Sequence, residues 1–229
     1  MNFIMHLKCL GKAKPIAWLG YIFAASIATI HIIPAETVKQ NLQLVIPSVI
    51  VILFLIVVVT EMKYTVKDIA VTLLGIAYII VFIVFLPMLK GLENGSLLVW
   101  YVLASAWGTD TFAYIIGMKF GKHKISKISP NKSLEGCIAG VVGAIAFSLV
   151  YTLVVNTYFE MQISYVYISL IALALSVLGQ IGDLSASSIK RYTEIKDFGN
   201  LIPGHGGMLD RIDSVIFIAP FAYFLLMTL

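Results

Sequence analysis

Charged side chains are scarce in this sequence of 229 residues: Asp, Glu, Lys and Arg make up 12% of it, whereas 60% of the residues are hydrophobic. A soluble domain has about 25% charged residues and could not bury such an excess of apolar surface. Disordered chains, coiled coils and nucleic-acid-binding modules each need a polar face that this composition does not supply. We therefore expect a membrane protein, and we expect no nucleic-acid partner despite the net charge of +4.

Cysteine is rare as well, with Cys9 and Cys137 as the two examples. A disulfide framework or a cysteine-based zinc site needs more cysteines at shorter spacing. The sequence therefore predicts neither of these stabilising devices.

Long hydrophobic runs account for most of what is present. A helix needs about 20 mostly apolar residues to cross the hydrocarbon core of a bilayer, and lipid offers backbone groups no hydrogen-bond partners outside a helix or a closed sheet. Continuous apolar runs that approach or reach this length cover residues 16–33, 42–60, 69–89, 96–118, 137–155, 163–182 and 213–229. The expected fold is an all-α, polytopic transmembrane helix bundle of about seven spans.

Lysine and arginine are concentrated in alternate loops. The amino-terminal tail and the loops 61–68, 119–136 and 183–212 are basic, whereas the loops between them are balanced or nearly uncharged. Because cytoplasmic loops collect Lys and Arg, this alternation predicts a multi-pass protein of the cell membrane whose amino terminus lies in the cytoplasm.

The distribution of polar residues also predicts a division of the chain. We expect amino-terminal transmembrane helices at 1–95 and a catalytic transmembrane region at 96–229. The cytoplasmic loops 119–136 and 183–213 of the second region carry most of its polar chemistry, so the active site is expected on the cytoplasmic side.

A carboxylate interrupts the fourth hydrophobic run. Asp110 lies eight residues before Met118, which places it roughly 12 Å below the membrane surface at the rise of an α-helix. An unpaired carboxylate in the membrane costs about 2.5 kcal/mol or more, so it requires a wet cavity, a cation or a polar partner. We expect Asp110 to line a functional cavity; the alternative is a buried polar contact between helices.

Polar residues also mark the start of the fifth hydrophobic run. Ser133, followed by Glu135 and Gly136, is suited to cap the amino terminus of a helix. Such a terminus beside Lys132 would bind an anion, and we expect phosphate binding there. Gly136 and Gly140 have the GxxxG spacing that predicts a close helix–helix contact.

The strongest chemical signal lies between residues 182 and 213. Asp210 and Asp213 are three residues apart and share one face if a helix has begun there, and Asp183 closes the sixth run on the other side of the loop. Carboxylates together with substrate phosphates are the usual ligands of Mg²⁺. The glycines of the turn Pro203-Gly204-His205-Gly206-Gly207 would let backbone N–H groups approach an anion closely.

Three cations, Lys190, Arg191 and Lys196, lie in the same stretch and would offset further negative charge. A solvated loop with paired charges would explain these cations but not the glycine turn and the carboxylates that follow it. The residues therefore predict metal-assisted phosphoryl or nucleotidyl transfer at the cytoplasmic membrane surface.

The same residues resemble the signature of the phosphatidate cytidylyltransferase family, which is also called the CDP-diglyceride synthetase motif. The similarity lies in residues 187–191, 196–199 and 203–213. Two further stretches, 107–114 and 128–136, are similar to sequences of the family. The resemblance covers roughly residues 60 to 229.

The resemblance implies that CTP and phosphatidic acid react to give CDP-diacylglycerol and pyrophosphate, with Mg²⁺ as cofactor, in phospholipid biosynthesis. The implied metal ligands are Asp183, Asp210 and Asp213. These three act as catalytic residues together with two cations that hold phosphates, Lys190 and Arg191. The implied substrate-binding residues are Asp110, Lys132, Ser133, Lys196, His205, Gly206 and Gly207.

Several alternatives stay open. A second, monovalent cation beside Mg²⁺ and a homodimer are both compatible with the resemblance, and we expect region 1–95 to lack the first spans of the family. A CTP-dependent polyprenol kinase or an enzyme of the CDP-archaeol synthase type would share the cytoplasmic site and differ in the lipid pocket. An ion-coupled transporter that uses Asp110 and Asp183 would need polar groups along a path to both membrane faces, whereas the informative acids cluster on one side.

Overall fold

The computed structural model of the chain describes residues 13–28, 35–126, 128–199 and 206–229, and every regular element in these ranges is helical. The helices are α1 Ala17–Ala28, α2 Ala35–Val59, α3 Val66–Lys90, α4 Gly95–Phe120, α5 Leu134–Tyr158, α6 Tyr165–Tyr192 and α7 Leu209–Leu226. Each predicted hydrophobic run overlaps one of these helices. The all-α prediction is therefore confirmed for the described part of the chain.

Three of the helices, α3, α5 and α6, are long and apolar enough to cross a membrane. They contain 25, 25 and 28 residues, and about 20 residues suffice to cross the hydrocarbon core. A shorter apolar stretch, Gln43–Val59, lies within α2. These lengths and compositions identify a membrane protein, whereas the total of about seven spans stays a prediction.

The buried hydrophobic residues form two clusters that meet within α3. The first cluster joins α1 and α2 to the first part of α3 and includes Leu53, Ile76 and Ile80. The second begins at Val84 and Phe85 and continues through α4, α5, α6 and α7. A π-helical segment, Ile76–Val81, lies where the two clusters meet. The predicted division at residue 95 stays a prediction, and α3 contributes to both clusters.

The predicted close contact at Gly136 and Gly140 is confirmed between α4 and α5. A Cβ atom at Gly140 would lie 2.9 Å from the carbonyl oxygen of Thr109, and one at Gly136 would lie 2.8 Å from that of Ala113. Side chains as small as hydrogen are needed at such distances. The two glycines thus let the backbone of α5 approach the segment of α4 that carries Asp110.

Helix α6 continues past residue 182, where the hydrophobic run ends, as far as Tyr192. The predicted loop 183–213 is therefore wrong at both ends, because residues 183–192 and 209–213 are helical. The Ser185 hydroxyl donates to the Ile181 carbonyl at 2.8 Å, which satisfies this polar side chain within the helix, and Ala186 is buried. The apolar run 163–182 thus indicates which part of α6 is suited to lipid, and the helix itself is longer than this run.

Candidate active site

A cavity of about 240 Å³ lies between α4, the connection 121–133, the start of α5 and the middle of α6. Its walls carry polar groups within otherwise apolar helices. The lining residues are Thr109, Asp110, Ala113, Tyr114, Asn131, Lys132, Ser133, Gly136, Cys137, Gln180 and Asp183. Four residues that the sequence singled out, Asp110, Lys132, Ser133 and Asp183, thus line one cavity.

An ion pair joins the connection 121–133 to α6 across this cavity. The Lys132 Nζ atom lies 2.5 Å from Asp183 Oδ2, and it also donates to the carbonyl oxygen of Gln180 at 3.4 Å. The side chains of Lys132 and Asp183 are 22% and 34% exposed, so both remain accessible from the cavity.

The position of Lys132 is fixed by the start of α5. As predicted, Ser133 caps this helix, because its hydroxyl accepts a hydrogen bond from the Gly136 N–H at 3.2 Å. The Glu135 carboxylate accepts a hydrogen bond from the Lys122 N–H at 3.2 Å and contacts His123 Nδ1 at 2.6 Å. These contacts hold both ends of the connection together and direct Lys132 towards α6.

Asp110 belongs to the same cavity wall and keeps accessible surface there. Its neighbour Thr109 is buried and donates to Ser176 Oγ of α6 at 2.7 Å. The buried hydroxyl contact between α4 and α6 is therefore made by Thr109, which leaves the Asp110 carboxylate for the cavity.

A second cluster of polar groups lies where α6 ends and α7 begins. The Lys190 Nζ atom donates to Asp210 Oδ1 at 2.9 Å. The other oxygen, Asp210 Oδ2, accepts from the Phe198 N–H at 2.8 Å and the Gly207 N–H at 2.9 Å. Burial raises the pKa of Asp210, but the hydrogen bonds from Lys190 and the two amides outweigh it and hold the pKa below its ordinary value. Asp210 is therefore ionised at neutral pH.

Gly206 and Gly207, which precede α7, approach the Asp210 carboxylate closely, since a Cβ atom at either would lie 3.3 Å from Asp210 Oδ2. Gly206 has a φ angle of +83°, which a residue with a side chain rarely adopts. A Cβ atom at Gly207 would lie 2.8 Å from the Gly199 nitrogen. The predicted role of His205 concerns a residue outside the described ranges.

Asp213 connects the two clusters. Its carboxylate is buried, with 6% exposure, and Oδ1 accepts from the Ser214 N–H at 2.8 Å. Asp213 interacts electrostatically with Asp183, Lys190 and Asp110. Three carboxylates and two lysines from four parts of the chain (α4, the connection 121–133, α6 and α7) thus share one electrostatic environment.

Not every predicted site residue joins this group. Arg191 points towards the connection 121–133, where its Nε atom donates to the Ile128 carbonyl at 3.3 Å, and Lys196 is exposed. Across residues 13–28, 35–126, 128–199 and 206–229, no three His, Cys, Asp or Glu side chains converge as a metal-binding group.

Gln180 is a further residue of the cavity wall that was not among the predicted site residues. Its Nε2 atom donates to the carbonyl oxygen of Cys137 at 3.1 Å, and its side chain lines the cavity. The available signal was its spacing, because residues three apart on a helix share a face and Gln180 precedes Asp183 by three.

The chain is similar to proteins of one family throughout most of its length. Residues 5–229 match the sequence profile of the cytidylyltransferase family. Three similar proteins are named phosphatidate cytidylyltransferase. The relative from Bacillus subtilis is 45% identical over 135 residues, which cover 58% of this chain and 49% of the relative.

The relative from Thermotoga maritima is 39% identical over 160 residues, which cover 69% of this chain and 58% of the relative. The relative from Staphylococcus haemolyticus is 36% identical over 211 residues, which cover 90% of this chain and 78% of the relative. The chain thus spans about half the length of the first two relatives and a larger share of the third. These similarities confirm the resemblance found in residues 187–213, and the chain belongs to the cytidylyltransferase family.

Proposed function

We propose that this protein transfers a cytidylyl group from CTP to phosphatidic acid and releases pyrophosphate. The product would be CDP-diacylglycerol, an intermediate of phospholipid biosynthesis. The names of the relatives support the choice of substrates. The observation that carries the proposal is the polar cavity lined by Asp110, Lys132 and Asp183, in which the Lys132 Nζ atom pairs with Asp183 Oδ2 at 2.5 Å.

The proposed reaction requires no covalent intermediate with the protein. A phosphate oxygen of phosphatidic acid attacks the α-phosphorus of CTP, the new P–O bond forms, and the bond to the β-phosphate oxygen breaks as pyrophosphate leaves. Catalysis then depends on holding the two substrates in line and on neutralising their charge. Lys132 and Lys190, which are mostly buried, are positioned to pair with phosphates of either substrate.

The chemistry of the carboxylates fits Mg²⁺, which proteins commonly hold through one or two carboxylates and the substrate phosphates. We propose Asp183 and Asp213 as ligands, together with Asp210, which would have to exchange its hydrogen bond with Lys190 for the metal. When bound, Mg²⁺ would neutralise phosphate charge and orient the phosphates. A second, monovalent cation beside it remains part of the proposal as an option.

The proposed substrate site also includes five residues near the end of α6 and before α7: Arg191, Lys196, His205, Gly206 and Gly207. We propose that Gly206 and Gly207 line the site of the nucleotide phosphates, because backbone N–H groups of such turns bind anions. The Gly207 N–H would have to exchange its hydrogen bond with Asp210 for one with a phosphate. The exposed Lys196 and the neighbouring Arg191 would attract these phosphates from solution.

The proposed location is the cell membrane, with about seven spans and the active site on the cytoplasmic face. The lysines of the connection 121–133 favour this orientation, because cytoplasmic loops collect positive charge. A homodimer remains a proposal that the family resemblance suggests.

The test is a product analysis. Purified protein in detergent is incubated with CTP, Mg²⁺ and either phosphatidic acid or a polyprenol, and the lipid product is identified by mass spectrometry. We expect CDP-diacylglycerol, and we expect Asp183→Asn to lower its formation at least about a hundredfold, because the variant loses the charge that faces Lys132.

The matched control for this loss is Glu160→Gln, which neutralises an exposed carboxylate in the connection between α5 and α6. The control should keep the turnover of the unmodified protein. A phosphorylated polyprenol as the only product would contradict the proposed function in favour of a CTP-dependent lipid kinase.

A further inference from the structure

One buried hydroxyl group has no partner in the described part of the chain. The Tyr78 hydroxyl is inaccessible to solvent, and neither a backbone nor a side-chain group of the described residues forms a hydrogen bond with it. Buried polar groups in folded proteins are nearly always hydrogen-bonded, because an unpaired one loses its hydration without compensation. An exception of this kind requires a reason.

The ring of Tyr78 is held in place by aromatic neighbours. It contacts Phe82 of α3 and Phe217 of α7 edge-on, with centroid distances of 6.1 Å and 6.2 Å. Phe217 in turn packs against Gly182 of α6, where a Cβ atom would lie 2.5 Å from the Phe217 Cβ. The tyrosine ring is thus fixed relative to the helix turn that carries Asp183.

Tyr78 also lies in an unusual piece of backbone. It belongs to the π-helical segment Ile76–Val81 within α3. A π-helical turn changes the faces on which the following side chains lie and is found frequently at functional sites. The segment lies where the two hydrophobic clusters meet, and its Tyr78 side chain contacts Phe217 of α7.

The ring of Tyr78 lies near the acidic side of the proposed site. Its neighbour Phe217 follows Asp213 by four residues and so lies on the same helix face, and it packs against Gly182, which directly precedes Asp183. A phenol is a neutral hydrogen-bond donor. It therefore adds a donor from α3 to a group of side chains that otherwise comes from α4 to α7.

We propose that Tyr78 is a further substrate-binding residue, whose hydroxyl donates a hydrogen bond to a phosphate oxygen held beside Asp183 and Asp213. The inference rests on the proposed function, in which phosphates occupy this place. Phosphate oxygens accept hydrogen bonds strongly, and a bound phosphate gives the hydroxyl the partner that the described residues do not supply. The phosphate of phosphatidic acid and those of CTP share this chemistry. Region 1–95 then contributes directly to the active site.

The test compares Tyr78→Phe with Tyr101→Phe, which each remove one buried hydroxyl. The Tyr101 hydroxyl has a partner, Thr152 Oγ1 at 3.0 Å, so its removal should lower the thermal stability of the free protein. Tyr78→Phe should leave this stability equal or higher, because no hydrogen bond is lost. Steady-state kinetics with varied CTP and varied short-chain phosphatidic acid then give kcat and KM for each variant.

We expect Tyr78→Phe to lower kcat/KM roughly ten- to a hundredfold, the range for a hydrogen bond to a charged group. It should also reduce the thermal stabilisation that CTP or short-chain phosphatidic acid gives in the presence of Mg²⁺. A raised KM for one substrate identifies whose phosphate is bound. Unchanged kinetics, or a loss of stability in the free Tyr78→Phe protein as large as in Tyr101→Phe, would overturn the inference. If the unmodified protein makes no CDP-diacylglycerol, the proposed function itself fails, which is a different result.

Discussion

Asp210 is the residue whose contacts constrain the proposed site most tightly. One carboxylate oxygen accepts from Lys190 at 2.9 Å, and the other accepts from the amides of Phe198 and Gly207. A single side chain thus ties the end of α6 to Phe198 and to Gly207. These three hydrogen bonds require the ionised form of Asp210, because a carboxylate accepts hydrogen bonds at both oxygens, whereas the amide of asparagine accepts them at its single oxygen.

We predict that Asp210→Asn lowers the turnover of CTP and phosphatidic acid at least about a hundredfold, since hydrogen bonds to a charged acceptor contribute roughly 1.5–3 kcal/mol each. The amide nitrogen of the new side chain would face N–H donors. Initial rates of pyrophosphate release measure the effect. Glu93→Gln, which changes an exposed carboxylate between α3 and α4, should have no effect, and turnover of Asp210→Asn at the unmodified rate would exclude both the metal role and the turn role.

At the scale of elements, the packing of α5 against α4 sets the position of Asp110. The contact depends on Gly136 and Gly140, whose nearest neighbours are backbone carbonyl oxygens, which cannot move aside as a flexible side chain can. Gly179 of α6 is less constrained. At Gly179 of α6, a Cβ atom would lie 3.6 Å from the Ile218 side chain, an ordinary van der Waals distance.

A comparison of Gly140→Ala with Gly179→Ala therefore distinguishes two effects on stability. One is the steric clash of an added methyl group, and the other is the effect of replacing glycine by alanine in any helix. Gly140→Ala should destabilise the protein by about 1–3 kcal/mol through overpacking and lower the midpoint of thermal unfolding by several degrees, at about 2–4 °C per kcal/mol. Gly179→Ala should leave the midpoint unchanged or raise it, since alanine favours helix. Equal midpoints for the two variants in a thermal-shift measurement would contradict a close α4–α5 contact.

The sequence predicted the local features of these elements well. The Ser133 cap and the contact at Gly136 and Gly140 depend on residues within a few positions of each other, and both are confirmed. The Lys132–Asp183 pair joins residues 51 positions apart, so it follows only from the arrangement of the helices. The extension of α6 to Tyr192 does not follow from the apolar run. Hydropathy marks the residues that are suited to lipid, whereas the backbone hydrogen bonds of a helix can continue beyond them.

At the scale of the whole molecule, the proposed site and the two hydrophobic clusters follow different divisions of the helix bundle. The clusters divide the bundle along the chain, with α3 shared between them. The proposed site instead draws on several helices at one end of the bundle. This end contains the connection 121–133 and the start of α7, whereas the connection between α5 and α6 lies at the other end of α5.

The proposed orientation predicts which connections react with a membrane-impermeant thiol reagent. In a variant without Cys9 and Cys137, Glu160→Cys should react in intact cells, because it lies in the exposed connection between α5 and α6. Lys122→Cys, at the other end of α5, should react only after the membrane is permeabilised. The reverse pattern would place the site outside the cell and contradict the proposed use of CTP from the cytoplasm.

The length of α6 has a consequence for how a lipid and a nucleotide meet. Its 28 residues extend about 42 Å, whereas the hydrocarbon core is about 30 Å thick. If α6 crosses the bilayer as proposed, Lys190 on its last turns stands at the depth of lipid headgroups, and Asp183 lies about 10 Å deeper. The phosphate of the lipid can then stay at the depth of the headgroups when it binds. The water-soluble triphosphate must enter the protein from the aqueous side to reach it.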